Sequence, residues 1–258
     1  MVKTDKGYLQ MYKIFGKSET EIKERLAGLL ECRGGLSVTV RRRAKEVQVL
    51  LETEETDEET AKQYIKPAGK AVKKALGDMI YSSKENEAME EAVYRLLAKY
   101  GLTAATAESC TGGLTAAKLV NVPGASEVFH AGFITYSNKA KRKFLGVNKA
   151  TLKKYGAVSK KTAQEMAEGG AAAAEADACV AITGIAGPDG GTEEKPVGLV
   201  YVACCLAASD VYKRQACCLK NDTVVEECHF RGTRSEIREQ SAMYALDLLR
   251  RTILKNYR

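Results

Sequence analysis

The sequence predicts an α/β protein of two domains: a small two-layer α+β domain, then a three-layer α/β/α domain with a mostly parallel or mixed sheet. Residues 9–83 have the element order β-α-β-β-α-β, whereas helical and strand patterns alternate from Glu87 onward. Two later runs, Ala178–Thr183 and Gly198–Leu206, are apolar almost throughout, which is typical of strands covered on both faces. The second domain is therefore expected to be a sheet sandwiched between helices.

Cap and turn residues delimit the elements of the first domain. Ser18 precedes an apolar helical period and Glu21 follows three residues later, the spacing of a capping box. Asp57 opens a longer helix that we expect to end near Gly77. The strands are expected at residues 11–15, 36–40, 47–51 and 79–81.

The polar stretch Ser82–Asn86 has the character of a linker, so the domains are expected to span residues 1–83 and 84–258. In the second domain, a long alanine-rich helix is expected from Ser159 to near Ala176. The other helices are expected at residues 89–100, 114–122, 151–155 and 236–257, with a basic helix after residue 136, and the strands at residues 103–109, 128–136, 178–183, 198–206 and 223–230.

The composition fits a globular protein with an anionic ligand. Hydrophobic residues make up 45% of the chain, charged residues 28%, and the net charge is +7. This balance suits partners from a phosphorylated metabolite to nucleic acid. No run of about eighteen apolar residues occurs, and Met1–Gly7 is polar, which argues against membrane spanning and secretion.

The metal-binding and redox residue types are poorly arranged for such sites. The eight cysteines contain no CxxC spacing, and Cys204-Cys205 and Cys217-Cys218 are vicinal pairs inside apolar runs. We therefore expect buried, reduced thiols in a cytoplasmic protein. Only two histidines occur, His130 and His229, and both fall in strand patterns, so neither a histidine triad nor a metal site is predicted.

One segment interrupts the last hairpin. Ala203-Cys204-Cys205-Leu206 recurs as Ala216-Cys217-Cys218-Leu219, and the intervening Asp210–Gln215 resembles the translated end of a transposon used in sequencing-library preparation. We therefore interpret residues 207–219 as an assembly artefact rather than a natural long loop. Their removal restores a simple hairpin with Lys220-Asn221-Asp222 as its turn, and a hairpin tip tolerates such an insertion.

The candidate nucleophile lies in Thr106-Ala107-Glu108-Ser109-Cys110-Thr111-Gly112-Gly113. This stretch joins a strand pattern to a helix pattern, and such a turn presents a side chain beside free backbone N–H groups. Alone, it is equally typical of close packing by small residues. Its functional interpretation depends on three other segments.

The first segment, Tyr136–Lys141, joins a strand to a helix, and there a desolvated Lys141 suits the role of base to a serine hydroxyl. We interpret the neighbouring Lys139, Arg142 and Lys143 as a solvated helix face. The second segment, residues 183–198, is a loop with five glycines and two prolines that fits neither a Walker loop nor a dinucleotide fingerprint. In the third, Arg234 begins the last helix, where it suits a phosphate or carboxylate, although a surface arginine is the simpler interpretation from position alone.

Together, these segments resemble the C-terminal domain of the CinA (competence/damage-inducible) family, the nicotinamide-nucleotide amidases. The resemblance runs from about Glu87 to the C-terminus through TAESCTGG, GFITYSNKAK, GAVS, TGIAGPDGGTEEKPVG and the Gly-Thr-Arg before the last helix. Residues 9–83 resemble the family's KH-type middle domain. The N-terminal molybdopterin-binding-like domain of full-length members, linked to ADP-ribose pyrophosphatase activity, is absent, so we expect a fragment or a naturally short form without that metal-dependent activity.

The resemblance implies hydrolysis of the carboxamide of nicotinamide mononucleotide without a metal or cofactor. Ser109 would attack the amide carbon, Lys141 and Tyr136 would manage the proton, and Arg234 would pair with negative charge. Backbone N–H groups of residues 110–113 would stabilise the oxyanion. The remaining implied substrate-binding positions are Thr111, Gly112, Gly113, Ser126, Thr183, Gly184, Gly187, Gly190 and Gly191. A homo-oligomer, a dimer or larger, is also implied.

Three alternatives remain open. Cys110 is a rival nucleophile, although its side chain is expected to point away from that of Ser109. A nucleic-acid module acting through the first domain and Arg41–Arg43 is a second class, but the absence of a GxxG loop makes nucleic acid an unexpected partner, as a membrane is. An inactive product, if residues 207–219 disrupt the sheet, is the third.

Overall fold

The computed structural model of the chain describes residues 1–30, 35–43, 46–207 and 222–257. These residues form two compact units, Met1–Ala88 and Met89–Arg258. Each unit contains a five-stranded sheet flanked by helices, as the fold class predicted from the sequence requires. No described helix has the length and apolar character needed to cross a membrane.

The first unit is an antiparallel sheet with two main helices. Its strands are β1 (Val2–Thr4), β2 (Gly7–Phe15), β3 (Leu36–Arg43), β4 (Glu46–Thr53) and β5 (Ile80–Ser82), and its helices are α1 (Glu19–Arg25) and α2 (Glu58–Leu76). The strand order is β1-β2-β4-β3, and β5 also pairs with β2. The first strand was not predicted, because its three residues are all exposed and carry no apolar alternation.

The predicted helix boundaries of this unit are confirmed at their caps. The Ser18 hydroxyl accepts a hydrogen bond from the Glu21 N–H at 3.1 Å, although the Glu21 carboxylate pairs with Lys17 rather than closing a capping box. The Asp57 carboxylate accepts the Thr60 N–H at 2.8 Å and begins α2. Gly77, at a φ of +49°, ends α2.

The second unit has a mixed sheet of five strands and six helices among its described residues. The strands are β6 (Ala104–Glu108), β7 (Phe129–Ile134), β8 (Ala178–Gly184), β9 (Leu199–Leu206) and β10 (Asp222–His229), and the helices are α3 (Met89–Tyr100), α4 (Leu114–Val120), α5 (Asn138–Leu145), α6 (Lys149–Tyr155), α7 (Lys160–Ala174) and α8 (Arg234–Tyr257). The strand order is β10-β9-β8-β6-β7. β6 is parallel to β7 and β8, whereas β9 is antiparallel to β8 and β10.

Helices cover both faces of this sheet. Helix α7 packs across β6, β8, β9 and β10, while α8 packs on β8 and β9 together with α3 and α4. Small side chains and glycines let α7 approach closely: a Cβ at Gly170 would lie 2.6 Å from Cys179 Sγ, and one at Gly169 would meet the Leu145 carbonyl. The cysteines at positions 110, 179, 204, 205 and 228 are buried and unbridged, in agreement with the expected reduced thiols.

Four connections between elements lie at one edge of the sheet because of the direction of its strands. Because β6, β7 and β8 are parallel, their C-terminal ends lie at the same edge. The antiparallel β9 begins at that edge, and β10 returns to it. The turn after β6, the start of α5, the glycine-rich loop between β8 and β9, and the start of α8 therefore lie at this edge, where α/β sheets commonly carry their sites.

β9 ends and β10 begins at the opposite edge of the sheet. Leu206 pairs with Asp222, and Thr223 pairs with Cys205, so the two strands are in register up to their ends. The expected artefact at residues 207–219 lies outside the described residues, except for Ala207, and so do Lys220 and Asn221 of the expected turn. Asp222, the third residue of that turn, instead begins β10. Removal of residues 207–219 would leave two residues between Leu206 and Asp222, which is the commonest hairpin loop length.

Deletion of residues 207–219 is expected to preserve the fold and to raise the free energy of unfolding by roughly 2 kcal/mol, because a shorter loop costs less closure entropy. Urea unfolding followed by circular dichroism measures this change. As a control, replacement of residues 208–219 by a glycine-serine linker of equal length should leave the stability unchanged. Loss of cooperative unfolding in the deletion variant would contradict the expected register.

Candidate functional site

Ser109 lies where the parallel strands end. Its N–H donates to the Ile182 carbonyl of β8 at 3.0 Å, and the Thr135 N–H beyond β7 donates to the Glu108 carbonyl at 2.8 Å. These two bonds extend the sheet ladder by one residue on each side of β6. Ser109 is consequently held between the ends of β7 and β8, with its side chain half-buried.

Lys141 reaches Ser109 from the first turns of α5. The Ser137 hydroxyl caps this helix by accepting the Ala140 N–H at 3.1 Å, and side chains on a helix point back toward its N-terminus. Lys141 Nζ therefore lies at the strand ends, 2.9 Å from Ser109 Oγ and 2.8 Å from the Thr135 carbonyl oxygen. The Lys141 side chain is fully buried.

Burial lowers the pKa of Lys141 from the ordinary lysine value of 10.5 to about 8. Neither of its two hydrogen-bonded neighbours is a carboxylate, and the nearby Cys110 sulfur opposes the lowering only in part, so desolvation of the ammonium dominates. At pH 7 about a tenth of such amines are neutral, roughly 300 times the fraction for an unshifted lysine. A neutral amine donates to the Thr135 carbonyl while its lone pair accepts the Ser109 hydroxyl proton, which is the arrangement of a general base.

Cys110, the rival nucleophile, is a buried neighbour. Burial raises the pKa of the Cys110 thiol to about 11, so it is protonated at neutral pH. Its side chain is 7% exposed. The geometry thus favours Ser109 over Cys110, as the sequence does.

Glu108 fills the N-terminus of α4. Its side chain is 1% exposed, and its carboxylate accepts the N–H groups of Gly113, Thr115 and Ala116 at 3.0, 3.1 and 2.8 Å. Gly113, at a φ of +94°, provides no capping side chain of its own. Since a carboxylate already occupies this helix end, it is not open to a substrate phosphate.

Two arginines at the start of α8 contact the same edge. Arg234 Nη1 donates to the Gly187 carbonyl at 2.7 Å and Nη2 to the Tyr136 hydroxyl at 3.2 Å. Arg238 Nε donates to the Cys110 carbonyl at 3.1 Å and Nη2 to the Thr111 carbonyl at 2.7 Å. The sequence pointed to Arg234 but not to Arg238. The one available signal was the four-residue spacing, which places both on one face of a helix.

Side chains anchor the glycine-rich loop to the segment between α6 and α7. The Thr183 hydroxyl donates to the Ala157 carbonyl at 2.7 Å, and Lys195 Nζ donates to the carbonyls of Tyr155 and Val158 at 2.8 and 2.7 Å. The Thr183 side chain is buried, and its described hydrogen bond anchors the loop. Of the expected glycines, Gly184 and Gly187 are tightly packed, since a Cβ on either would lie 2.6 Å from a valine methyl, whereas Gly190 and Gly191 are exposed.

Some expected residues are not brought to Lys141. Tyr136 is 64% exposed, and its described contact is with Arg234 rather than with the lysine. Ser126 is exposed in a short turn before β7, and no described contact joins it to Ser109 or Lys141. The Thr111 hydroxyl is buried without a hydrogen-bond partner among the described residues.

In the first unit, Arg41–Arg43 ends β3 with exposed side chains, and Arg41 donates to Gln48.

No group of three or more metal-ligating side chains occurs among the residues that the structure describes. The chemistry available at this edge consists of a serine hydroxyl, a buried amine, backbone N–H groups and Arg234.

Comparison with known proteins extends over both units. Residues 86–253 match the CinA C-terminal domain and residues 10–82 match the damage-inducible protein CinA KH domain. A CinA-like protein of Kosmotoga olearia is 43% identical over 247 residues, covering 96% of this chain and 57% of the relative. A putative competence-damage inducible protein of Caldicellulosiruptor saccharolyticus is 42% identical over 253 residues, covering 98% and 58%. The chain thus spans less than three fifths of the length of these relatives.

Solved structures match about two thirds of this chain over nearly their whole length. Competence/damage inducible protein CihA from Agrobacterium tumefaciens aligns with a TM-score of 0.56 and 40% identity, over 65% of this chain and 97% of that one. The competence damage-inducible protein A from Klebsiella pneumoniae subsp. pneumoniae aligns with a TM-score of 0.58 and 33% identity, over 66% and 97%.

Replacement of Lys141 by Met is expected to stabilise the protein, because the folded state no longer buries an amine whose charged form it disfavours. Below pH 8 the wild type must bury the ammonium or release its proton, at a cost of up to about 3 kcal/mol from the pKa difference. Between pH 8 and 10.5 only the unfolded chain holds that proton, so wild-type stability rises with pH. We expect Lys141→Met to gain roughly 1–3 kcal/mol at pH 7 and about half of that gain at pH 9.5.

Urea unfolding at the two pH values measures these differences. Lys139→Met, which removes an exposed amine from the same helix, is the matched control and should change stability little at either pH. A Lys141→Met advantage that is absent, or equal at both pH values, would show that the Lys141 amine does not titrate as a buried group.

Proposed function

The chain belongs to the CinA family, and we propose that it hydrolyses the carboxamide of nicotinamide mononucleotide to nicotinate mononucleotide and ammonia. The observation that carries this proposal is the 2.9 Å contact between the buried Lys141 Nζ and Ser109 Oγ. A serine activated by a neutral lysine is an acyl-transfer site, and a carboxamide is an acyl donor. The choice of nicotinamide mononucleotide rests on the resemblance to the family's amidases.

In the first half-reaction, neutral Lys141 takes the proton of the Ser109 hydroxyl while Ser109 Oγ attacks the carboxamide carbon. The tetrahedral intermediate then collapses. The carbon–nitrogen bond breaks, the Lys141 ammonium gives its proton to the leaving nitrogen, and ammonia departs from an ester on Ser109.

In the second half-reaction, water attacks that ester and Lys141 again acts as the base. The ester bond to Ser109 Oγ breaks, Lys141 returns the proton to the serine, and nicotinate mononucleotide is released. Both steps need Lys141 neutral at the start, which its lowered pKa provides in part at neutral pH.

Two of the four N–H groups expected as oxyanion donors at residues 110–113 already have acceptors. The Gly112 N–H donates to the Ser109 carbonyl at 3.1 Å, and the Gly113 N–H is bound by Glu108. We therefore assign oxyanion stabilisation to the N–H groups of Cys110 and Thr111, which lie beside the Cys110 thiol and oppose the rise of its pKa.

The substrate phosphate is assigned to Arg234 and the glycine-rich loop. Arg234 is exposed at the start of α8, contacts the loop through the Gly187 carbonyl, and lies beside the exposed Tyr136. A guanidinium in this position can exchange the carbonyl and the hydroxyl for phosphate oxygens. Because Tyr136 contacts Arg234, we assign Tyr136 to substrate binding rather than to proton transfer between Ser109 and Lys141.

Ser109→Ala is expected to abolish ammonia release from nicotinamide mononucleotide, because no other activated hydroxyl contacts Lys141 among the described residues. Coupled-enzyme detection of ammonia measures the rate. The adjacent Cys110→Ala, which removes the rival nucleophile, should retain activity within about threefold, since this thiol is protonated. Activity that survives in Ser109→Ala and disappears in Cys110→Ala would reverse the assignment.

Arg234→Ala is expected to raise the KM for nicotinamide mononucleotide by about 10- to 100-fold, the usual worth of a hydrogen bond to a charged group, with a smaller change in kcat. The KM for the nucleoside that lacks the phosphate should be unaffected. Arg231→Ala, an exposed arginine three residues earlier, is the control of equal charge. An equal rise in KM for both substrates would show that Arg234 does not bind the phosphate.

A further inference from the structure

We propose that Glu108 and Arg238 are positioning residues that hold the nucleophile turn, residues Ser109–Gly113, so that Ser109 Oγ stays within reach of Lys141 Nζ. This inference rests on the proposed role of Ser109 as nucleophile. It assigns a function to a buried carboxylate and to a guanidinium that otherwise have no place in the reaction.

Glu108 fixes the end of the nucleophile turn that continues into α4. Its carboxylate accepts three N–H groups at that helix start, those of Gly113, Thr115 and Ala116, with distances between 2.8 and 3.1 Å. Glu108 is the last residue of β6. The chain leaves the strand at Ser109, and the Gly113 N–H then donates back to the Glu108 side chain. The turn is therefore a closed loop whose two ends are fixed to one residue.

Arg238 fixes the middle of the same turn from α8. Its two bonds go to consecutive carbonyls, those of Cys110 and Thr111, and a planar guanidinium with two bonds sets the orientation of both peptide planes. In a trans peptide the N–H points opposite to the carbonyl. The Thr111 N–H, one of the two assigned oxyanion donors, is therefore directed away from Arg238.

The two residues act on different groups of the turn. Glu108 accepts N–H groups at its end, Arg238 donates to carbonyls at its middle, and the Ser109 N–H is bound to β8. With these groups fixed, the remaining freedom of Ser109 is rotation of its side chain. Displacement of a reacting group by about 1 Å commonly costs on the order of 100-fold in rate.

The test compares Glu108→Gln, Arg238→Ala and Arg238→Lys with two controls. The glutamine keeps the size of Glu108 but turns an amide donor toward backbone donors, and the lysine keeps the charge of Arg238 without its paired geometry. Asp177→Asn weakens a comparable carboxylate that binds Thr103 at the opposite edge of the sheet. Glu239→Gln breaks the ion pair of α8 with Lys118 of α4 without touching the turn.

Two readouts are used for every variant: kcat and KM for ammonia release, and the rate at which p-nitrophenyl acetate acylates Ser109, followed by intact mass. We expect kcat and the acylation rate to fall together by at least about tenfold in Glu108→Gln and Arg238→Ala, with KM within about threefold of the wild type. Arg238→Lys should be intermediate. Both controls should stay within about twofold, although they perturb the same unit.

Wild-type kcat and acylation rates in the Arg238 variants would overturn the proposal for Arg238, and wild-type rates in a folded Glu108→Gln would overturn it for Glu108. If Glu108→Gln does not fold, Glu108→Asp replaces it, and a wild-type rate there has the same meaning. A rise in KM alone would make Arg238 a binding residue instead. Acylation of wild-type Ser109 without ammonia release from nicotinamide mononucleotide would refute the proposed substrate but leave the positioning test intact. Absence of acylation in the wild type would overturn both.

Discussion

The parallel pairing of β6 with both of its neighbours is the constraint on which the second unit depends. It places the residue after each of three strands at one edge, and the antiparallel β9 and β10 bring two further connections to that edge. Residues as distant in sequence as Ser109, Lys141 and Arg234 lie at that edge because of strand direction. No one of these segments fixes the position of the other segments through its own local sequence. The site therefore exists only when the whole sheet is formed.

At that edge, burial of the Lys141 amine determines which proton transfers are available. The Lys141 amine is desolvated without a carboxylate partner, so the protein holds an amine of lowered pKa at the expense of folding free energy. This conflict between stability and reactivity is common where strain or desolvation persists in a fold. The small-residue core between α7 and the sheet also packs Leu145, one turn after Lys141 on α5.

Local signals in the sequence were sufficient for most elements and for part of the site. The caps at Ser18, Asp57 and Ser159 were predictable because each bond joins residues three apart. Glu108 and Arg238 were not, because they bind backbone groups, which leave no pattern in side-chain identity. The place of Tyr136 was also missed: in extended chain, successive side chains alternate, so the buried Thr135 leaves Tyr136 pointing outward.

The far end of the β9–β10 hairpin has a consequence for the use of this protein as a scaffold. Leu206 and Asp222 lie at the edge opposite to Ser109, separated from it by the length of an eight-residue strand, which is about 26 Å. An autonomously folding module inserted there would lie far from Ser109. This end of the sheet is thus a suitable grafting point for a reporter or an affinity handle, because Ser109 and Lys141 lie at the opposite end.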